Sequence, residues 1–282
     1  MVRILRSSRV LFALLALCLL LAACGQNSTT SGSGNSSATP TPAATTLQVF
    51  AAASLKSSFT EIQTKYKQAH PNIKIIYNFA GSQALVQQIT QGAPADIFAS
   101  ADQNNMKKVS DAGLALSPQN FADNTLAIII PTSNPAHLST LKDLGNKGVK
   151  IDVAASTVPV GSYTLQVLDK TGKSSDYGPT YESAVKKNFI SQEDNDTAIV
   201  QKVELGEADA GFVYTSDVTA AAASKVKSIS IPAALNIIAQ YPITVLKNSK
   251  SVSDAQAFVQ YILSPDGQAI LTKYRFLPPT AN

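Results

Sequence analysis

The small hydroxyl and glycine residues of this chain stand where apolar strands hand over to helices. Three connections share the pattern: Ala51-Ala-Ala-Ser54-Leu, Phe79-Ala-Gly81-Ser82-Gln and Ser156-Thr-Val-Pro159-Val160-Gly161-Ser. Ser54 and Ser82 each sit where a helix N-cap belongs, a role worth about 1 kcal/mol apiece. The same placement suits a second chemistry. Strand carboxyl ends converge on the ligand crevice of an open α/β sheet, and helix N-termini there present unpaired N–H groups and a positive dipole end. Several such termini aimed at one point hold an anion with no lysine or arginine. That fits a chain whose only arginine beyond residue 9 is Arg275.

Other chemistries lack their residues. The two cysteines, Cys18 and Cys24, both lie near the N-terminus, so the body has no disulfide, no thiolate nucleophile and no Cys-ligated zinc. Neither of the two histidines has a plausible catalytic setting: His70 precedes Pro71, and His137 lies in a Pro- and Ser-rich loop. There is no Gly-x-Ser-x-Gly elbow and no histidine after His137, which argues against an α/β hydrolase. No adjacent Tyr-Tyr pair is present for a ferric-ion receptor, and no bare-cation site is expected. The chain reads as a binding protein and not an enzyme.

The elements that must position these residues alternate. Strands are expected at Leu47–Ala52, Ile73–Phe79, Asp96–Ala99, Leu126–Ile130, Val149–Ala154, Ala210–Tyr214, Val226–Ile231 and Ile237–Val245. Helices are expected at Lys56–Gln68, Ala84–Thr90, Gln103–Ala112, Leu141–Leu144, Tyr163–Asp169, Tyr181–Asn188, Thr197–Leu205, Val218–Ser224, Val252–Leu263 and Gly267–Tyr274. Phe59, Ile62 and Tyr66 mark one helical face. This alternation predicts an α/β fold with mostly parallel sheets.

Charge and the N-terminus narrow the setting. Arg3, Arg6 and Arg9 precede a wholly apolar run over residues 10–23, too short to span a bilayer comfortably and of signal-peptide length. Setting those three aside, the 23 basic residues fall to 20 against 19 acidic ones, a near-neutral chain unsuited to nucleic acid. The run ends in Leu21-Ala-Ala-Cys24, which resembles the lipobox of bacterial lipoproteins. The resemblance implies cleavage after residue 23 and lipidation of Cys24, giving an extracytoplasmic protein held on the cell membrane. Residues 24–46 are uncharged and rich in Ser, Thr, Gly and Pro, and are expected to be a disordered tether.

Taken in order, several segments carry a wider resemblance. They are Val49-Phe-Ala-Ala-Ala-Ser54-Leu, Asn78-Phe-Ala-Gly-Ser82, Gln91-Gly-Ala-Pro-Ala-Asp96-Ile-Phe-Ala-Ser-Ala-Asp102, Val158-Pro-Val-Gly161-Ser-Tyr163, Val203-Glu-Leu-Gly-Glu-Ala-Asp-Ala-Gly211-Phe-Val-Tyr214-Thr-Ser-Asp217 and Gln240-Tyr-Pro242. Over nearly all of 47–282 the sequence resembles the molybdate-binding proteins of ABC importers, which have the type II periplasmic-binding-protein fold. The resemblance implies two α/β lobes, 47–127 plus 241–282 and 128–240, joined by two crossover strands near Asn124–Ile130 and Gln240–Val245, with the ligand cleft between them. It implies a monomer that passes molybdate or tungstate to an ABC permease and its cytoplasmic ATPase, without a cofactor. Sulfate, phosphate or another small oxyanion is the alternative ligand.

Carried over by position, the ligand contacts fall on Ser54, Ser82, the backbone at Val160, the backbone at Asp196 and the hydroxyl of Tyr214. Pro159 fixes the turn before Val160 and leaves its N–H pointing inward. Asp196 departs from the apolar residue usual there. A carboxylate about 4 Å from one negative charge costs on the order of 4 kcal/mol at an effective dielectric of 20, and roughly double against a dianion. The expected resolution is that Asp196 turns away and caps the helix beginning at Thr197. The alternatives are that it accepts the proton of a hydrogen phosphate or coordinates the metal centre of the oxyanion. A site made only of donors suits a fully deprotonated tetrahedral dianion and disfavours hydrogen phosphate.

Overall fold

A computed structural model describes residues 44–219 and 222–280. The leader at 1–23, Cys24 and the tether up to residue 43 lie outside the described residues. The tether expected to run to residue 46 ends earlier, because the first strand, β1 (Thr45–Ala52), already pairs at Thr45 and Thr46.

β1 is buried on both faces and runs parallel between β2 (Ile73–Ala80) and β3 (Ile97–Ala99). α1 (Lys56–Ala69) lays Phe59, Ile62 and Tyr66 on this sheet, as the periodicity requires. α2 (Ser82–Thr90) and α3 (Gln103–Asp111) follow β2 and β3, and the buried Asp102 caps α3 by accepting from the Asn105 N–H. β4 (Gln119–Pro131) comes next. Then come β5 (Ile151–Ala154), α4 (Pro159–Gly172), α5 (Tyr181–Lys187), β6 (Phe189–Glu193), α6 (Asp196–Glu204), β7 (Ala210–Tyr214) and β8 (Val226–Ser230). β9 (Ile238–Val245), α7 (Val252–Leu263) and α8 (Pro265–Lys273) complete the chain, and short 3-10 turns lie at Ala53–Leu55, Leu141–Gly145, Thr215–Asp217 and Ala222–Ser224.

The strands form one sheet in the order β2-β1-β3-β9-β4-β7-β5-β6, with β8 also on β4. The sheet is mixed and not mostly parallel as expected: four pairings are parallel and four, all involving β4 or β9, are antiparallel. β4 is also longer than the apolar run Leu126–Ile130. Its first part, Gln119–Thr125, pairs with β9, and its second part pairs with β7 and β8. The polar residues Asp123 and Asn124 have distant partners there: Asp123 Oδ2 takes the N–H of Thr280, and Asn124 donates to Ser216 at 2.8 Å. Where β9 leaves β4, the side chain of Asn236 continues the ladder by accepting from the Leu126 N–H at 3.1 Å and donating to its carbonyl at 2.9 Å.

Three further expectations are corrected. α4 starts at Pro159, four residues before Tyr163, because proline is preorganised for the first helical position. β6 is half buried and pairs with β5, a partner the sequence does not announce. Of the helix expected over Val218–Ser224, the described residues show a 3-10 turn at Ala222–Ser224, preceded by another at Thr215–Asp217. Among the described residues no helix is long and apolar enough to cross a membrane.

Candidate functional site

The ends of β1, β2, β3, β5, β6 and β7 deliver their following segments to one small hollow. Its wall is Ala52 and Ala53, Gly81 and Ser82, Ala101, the run Val158-Pro159-Val160, Asp196 and Tyr214. Three helices of at least nine residues, α2, α4 and α6, start on this wall. Their N-termini turn unpaired N–H groups and positive dipole ends toward the same point. No residue of the wall is Lys or Arg.

The structure therefore brings together Ser82, Val160, Asp196 and Tyr214. Ser54 stands one residue beyond the lining Ala53, and its Oγ shares a 3.0 Å hydrogen bond with the Tyr241 hydroxyl. Neither serine is the N-cap that its position suggested. Gly81 caps α2 and Leu55 caps α1, because both hydroxyls have distant partners instead. Ser82 Oγ accepts the Ala101 N–H at 3.0 Å, which leaves its own hydrogen to donate. Val160 is the second residue of α4, so its N–H has no acceptor within the helix. The helix can start this close to β5 because residue 161 is glycine; a Cβ there would collide with the Ala154 and Ala155 carbonyls.

Tyr214 is 1% exposed, and its hydroxyl has no hydrogen-bond partner within the protein. Burial pushes its pKa well above the usual phenol value, so it stays a neutral donor. A buried hydroxyl without a partner costs free energy, and this one borders the hollow.

The cap reading of Asp196 is overturned. Asn195, one residue earlier, caps α6 by accepting the Ala198 N–H at 3.0 Å, and Asp196 becomes the first helical residue. Asp196 is 4% exposed, lines the hollow, and leaves Oδ2 without a partner. Its carboxyl also shares a hydrogen bond with that of Asp217, which accepts the Tyr214 N–H at 2.8 Å. Burial pushes both carboxyls above the usual carboxylate range, and the charge of Asp196 raises Asp217 further. The interaction between them favours the charged form of Asp196 and the neutral form of Asp217.

The sequence reading missed several supporting residues. Tyr241, on β9, joins Ser54 to Asn124, whose Nδ2 lies 3.4 Å from the Tyr241 hydroxyl. The segment Gln240-Tyr-Pro242 carries part of the family resemblance and lies in an expected crossover strand, but Tyr241 has no role in the site by sequence. Gln83 Nε2 donates to the Asp194 carbonyl at 2.9 Å, tying the start of α2 to the loop before α6. Among the described residues, no cluster of three or more His, Cys, Asp or Glu is arranged to hold a metal ion.

The family model described as bacterial extracellular solute-binding protein matches residues 47–277. The molybdate-binding protein ModA of Mycobacterium tuberculosis is 39% identical over 260 residues, covering 92% of this chain and 93% of its own. A substrate-binding lipoprotein of Bacillus subtilis assigned to an ABC transporter, YvgL, is 29% identical over 270 residues, covering 95% and 96%. A solved substrate-binding domain from Clostridium difficile, assigned to a molybdenum ABC transporter, is 31% identical with a TM-score of 0.62, covering 83% of this chain and 99% of its own. The periplasmic molybdate-binding protein of Azotobacter vinelandii superposes with a TM-score of 0.71 over 83% of this chain at 20% identity, a likeness of fold.

Proposed function

Because the chain belongs to the bacterial extracellular solute-binding proteins, and within them to the molybdate-binding ModA family, we propose that its hollow captures molybdate, or tungstate, for import by an ABC permease and its ATPase. It is a transport component and not an enzyme. The observation that carries the ligand class is the wall itself: three helix N-termini, the Ser82 hydroxyl and the unsatisfied Tyr214 hydroxyl, with no cationic side chain. Such a wall offers donors to every oxygen of a tetrahedral dianion and needs no ion pair. In this reading Ser54, Ser82, Val160, Asp196 and Tyr214 form the binding shell. Ser54 contributes through the turn that also brings Ala53 to the hollow.

We further take residues 47–127 with 241–282 as one lobe and 128–240 as the other. The partner exchange along β4 and the contact between Gln83 and Asp194 support a cleft that shuts over its ligand. The anchor is taken to be a lipid on Cys24, in line with the lipoprotein YvgL.

Calorimetry of the chain against molybdate, tungstate, sulfate and phosphate tests the proposal. Tight binding of molybdate and no heat from phosphate at pH 7 is the expected result. A second reading, hydrogen phosphate, draws on one observation, the unpartnered Asp196 Oδ2 on the wall, which would accept the ligand's proton. Preference for phosphate over molybdate would establish it instead.

A further inference from the structure

We propose that Asp196 meets the captured oxyanion as a neutral carboxyl, so that each dianion entering the hollow carries one proton in with it. The inference rests on the oxyanion reading above and says how that site tolerates an acidic residue.

The geometry leaves few ways to accommodate Asp196. Its Oδ2 is buried, borders the hollow beside the Tyr214 hydroxyl, and has no partner. As an ionised group it would repel a dianion at contact distance, with no cation on the wall to offset it. As a protonated group it adds a donor to a shell of donors. In the free site the hydrogen bond from Asp217 favours the charged form of Asp196, so the proton that neutralises Asp196 has to arrive with the ligand, and the Tyr214 N–H fixes the orientation of Asp217.

The pair also spans two spaces. Asp196 lines the hollow, whereas Asp217 lines a neighbouring groove with Ser54, Lys56, Gln201 and Glu204. A proton taken from water at the groove reaches Asp196 through the shared hydrogen bond. The balance is simple: the free pair holds one proton and one negative charge, the bound pair holds two protons, and the second comes from solvent.

The groups that act on the pair favour this. Tyr214 and Tyr241 face it and are neutral, and Asp102 acts on Tyr214 with further negative charge. Lys56 and Glu204 lie on the groove side. Glu193 of β6 pairs with Lys202, and the buried Asp152 of β5 feels the charges of both. Burial raises both members of the pair, in agreement with the geometry.

The test is calorimetric titration of the full chain with molybdate between about pH 6.5 and 8.5, in two buffers of different ionisation enthalpy, which counts protons taken up on binding. The expected count in the upper part of this range is close to one, with affinity falling about tenfold per pH unit. In Asp196→Asn, whose amide donates without taking up a proton, the count should drop to near zero and the affinity profile should flatten. A count near zero in the unsubstituted protein, or an unchanged count in Asp196→Asn, overturns the inference. Should Asp196→Asn fail to fold, as judged by circular dichroism, the count in the unsubstituted protein decides alone. Tighter binding of hydrogen phosphate would mean that Asp196 accepts instead of donating, which also overturns it. No heat from molybdate or tungstate at any pH overturns the oxyanion reading itself, and this inference with it.

Discussion

Gly81 stands against the backbone carbonyl of Asp194, so close that a methyl group at residue 81 would collide with it. The contact joins the cap of α2 to the loop that leads into α6, two of the three helix starts on the hollow. Shape at this point thus governs whether the wall can close.

Gly81→Ala should lower stability, since a Cβ at residue 81 meets the Asp194 carbonyl. It should weaken molybdate binding at least about tenfold, because Gln83 can swing aside but the Asp194 carbonyl cannot. Gln83→Ala, which removes one hydrogen bond worth roughly 1 kcal/mol, should cost only a few-fold. Thermal melts with and without ligand, beside calorimetry, separate the two effects.

Molybdate at about 100 times its dissociation constant should stabilise the folded protein by roughly 2.7 kcal/mol. For a chain of this size that is a rise in Tm of about 5–10 °C. Phosphate at the same concentration and pH 7 should give none. A scanning melt with each anion checks both statements.

Tyr214→Phe and Tyr241→Phe should part company. The Tyr214 hydroxyl has no protein partner, so its removal leaves the unliganded fold as stable or slightly more so, while molybdate binding falls about tenfold or more. The Tyr241 hydroxyl bonds Ser54, and its loss should cost about 1 kcal/mol of stability before any ligand is added. Ser82→Ala lies between them, since it deprives the Ala101 N–H of its acceptor and the ligand of a donor. Denaturant melts of the unliganded proteins, read beside their affinities, give the order.

Asp152 predicts a pH dependence of stability that needs no ligand. Its carboxyl is fully buried, and burial together with the Glu193 charge pushes its pKa up to about 6. Glu193 stays ionised because Lys202 holds it. The native state therefore binds the Asp152 proton more tightly than the unfolded chain does. The stability so gained is complete below the unfolded value near 4 and is lost as pH rises through about 6. Asp152→Asn should accordingly raise stability by about 2 kcal/mol at pH 8 and change little at pH 4. Chemical denaturation at the two pH values reads the difference.

Much of this molecule was legible before any coordinates. The apolar runs and the Phe59, Ile62, Tyr66 period place strands and helices within a few residues, because secondary structure follows local spacing. The small residues after each strand locate the wall of the hollow, and the position of Tyr214 at a strand end brings it there. Asp196 shows where local reading stops. Asn195 and Asp196 are adjacent and both able to cap a helix, and spacing cannot choose between them. Packing chose Asn195, which sent Asp196 into the hollow and against Asp217. Likewise Ser54 and Ser82 look like caps until Tyr241 and Ala101, far along the chain, claim their hydroxyls. Local residue order determined the elements and the class of guest they suit. The tertiary structure decided which polar atoms already have partners and which remain for that guest, because a hydrogen bond between remote segments exists only once the chain has folded.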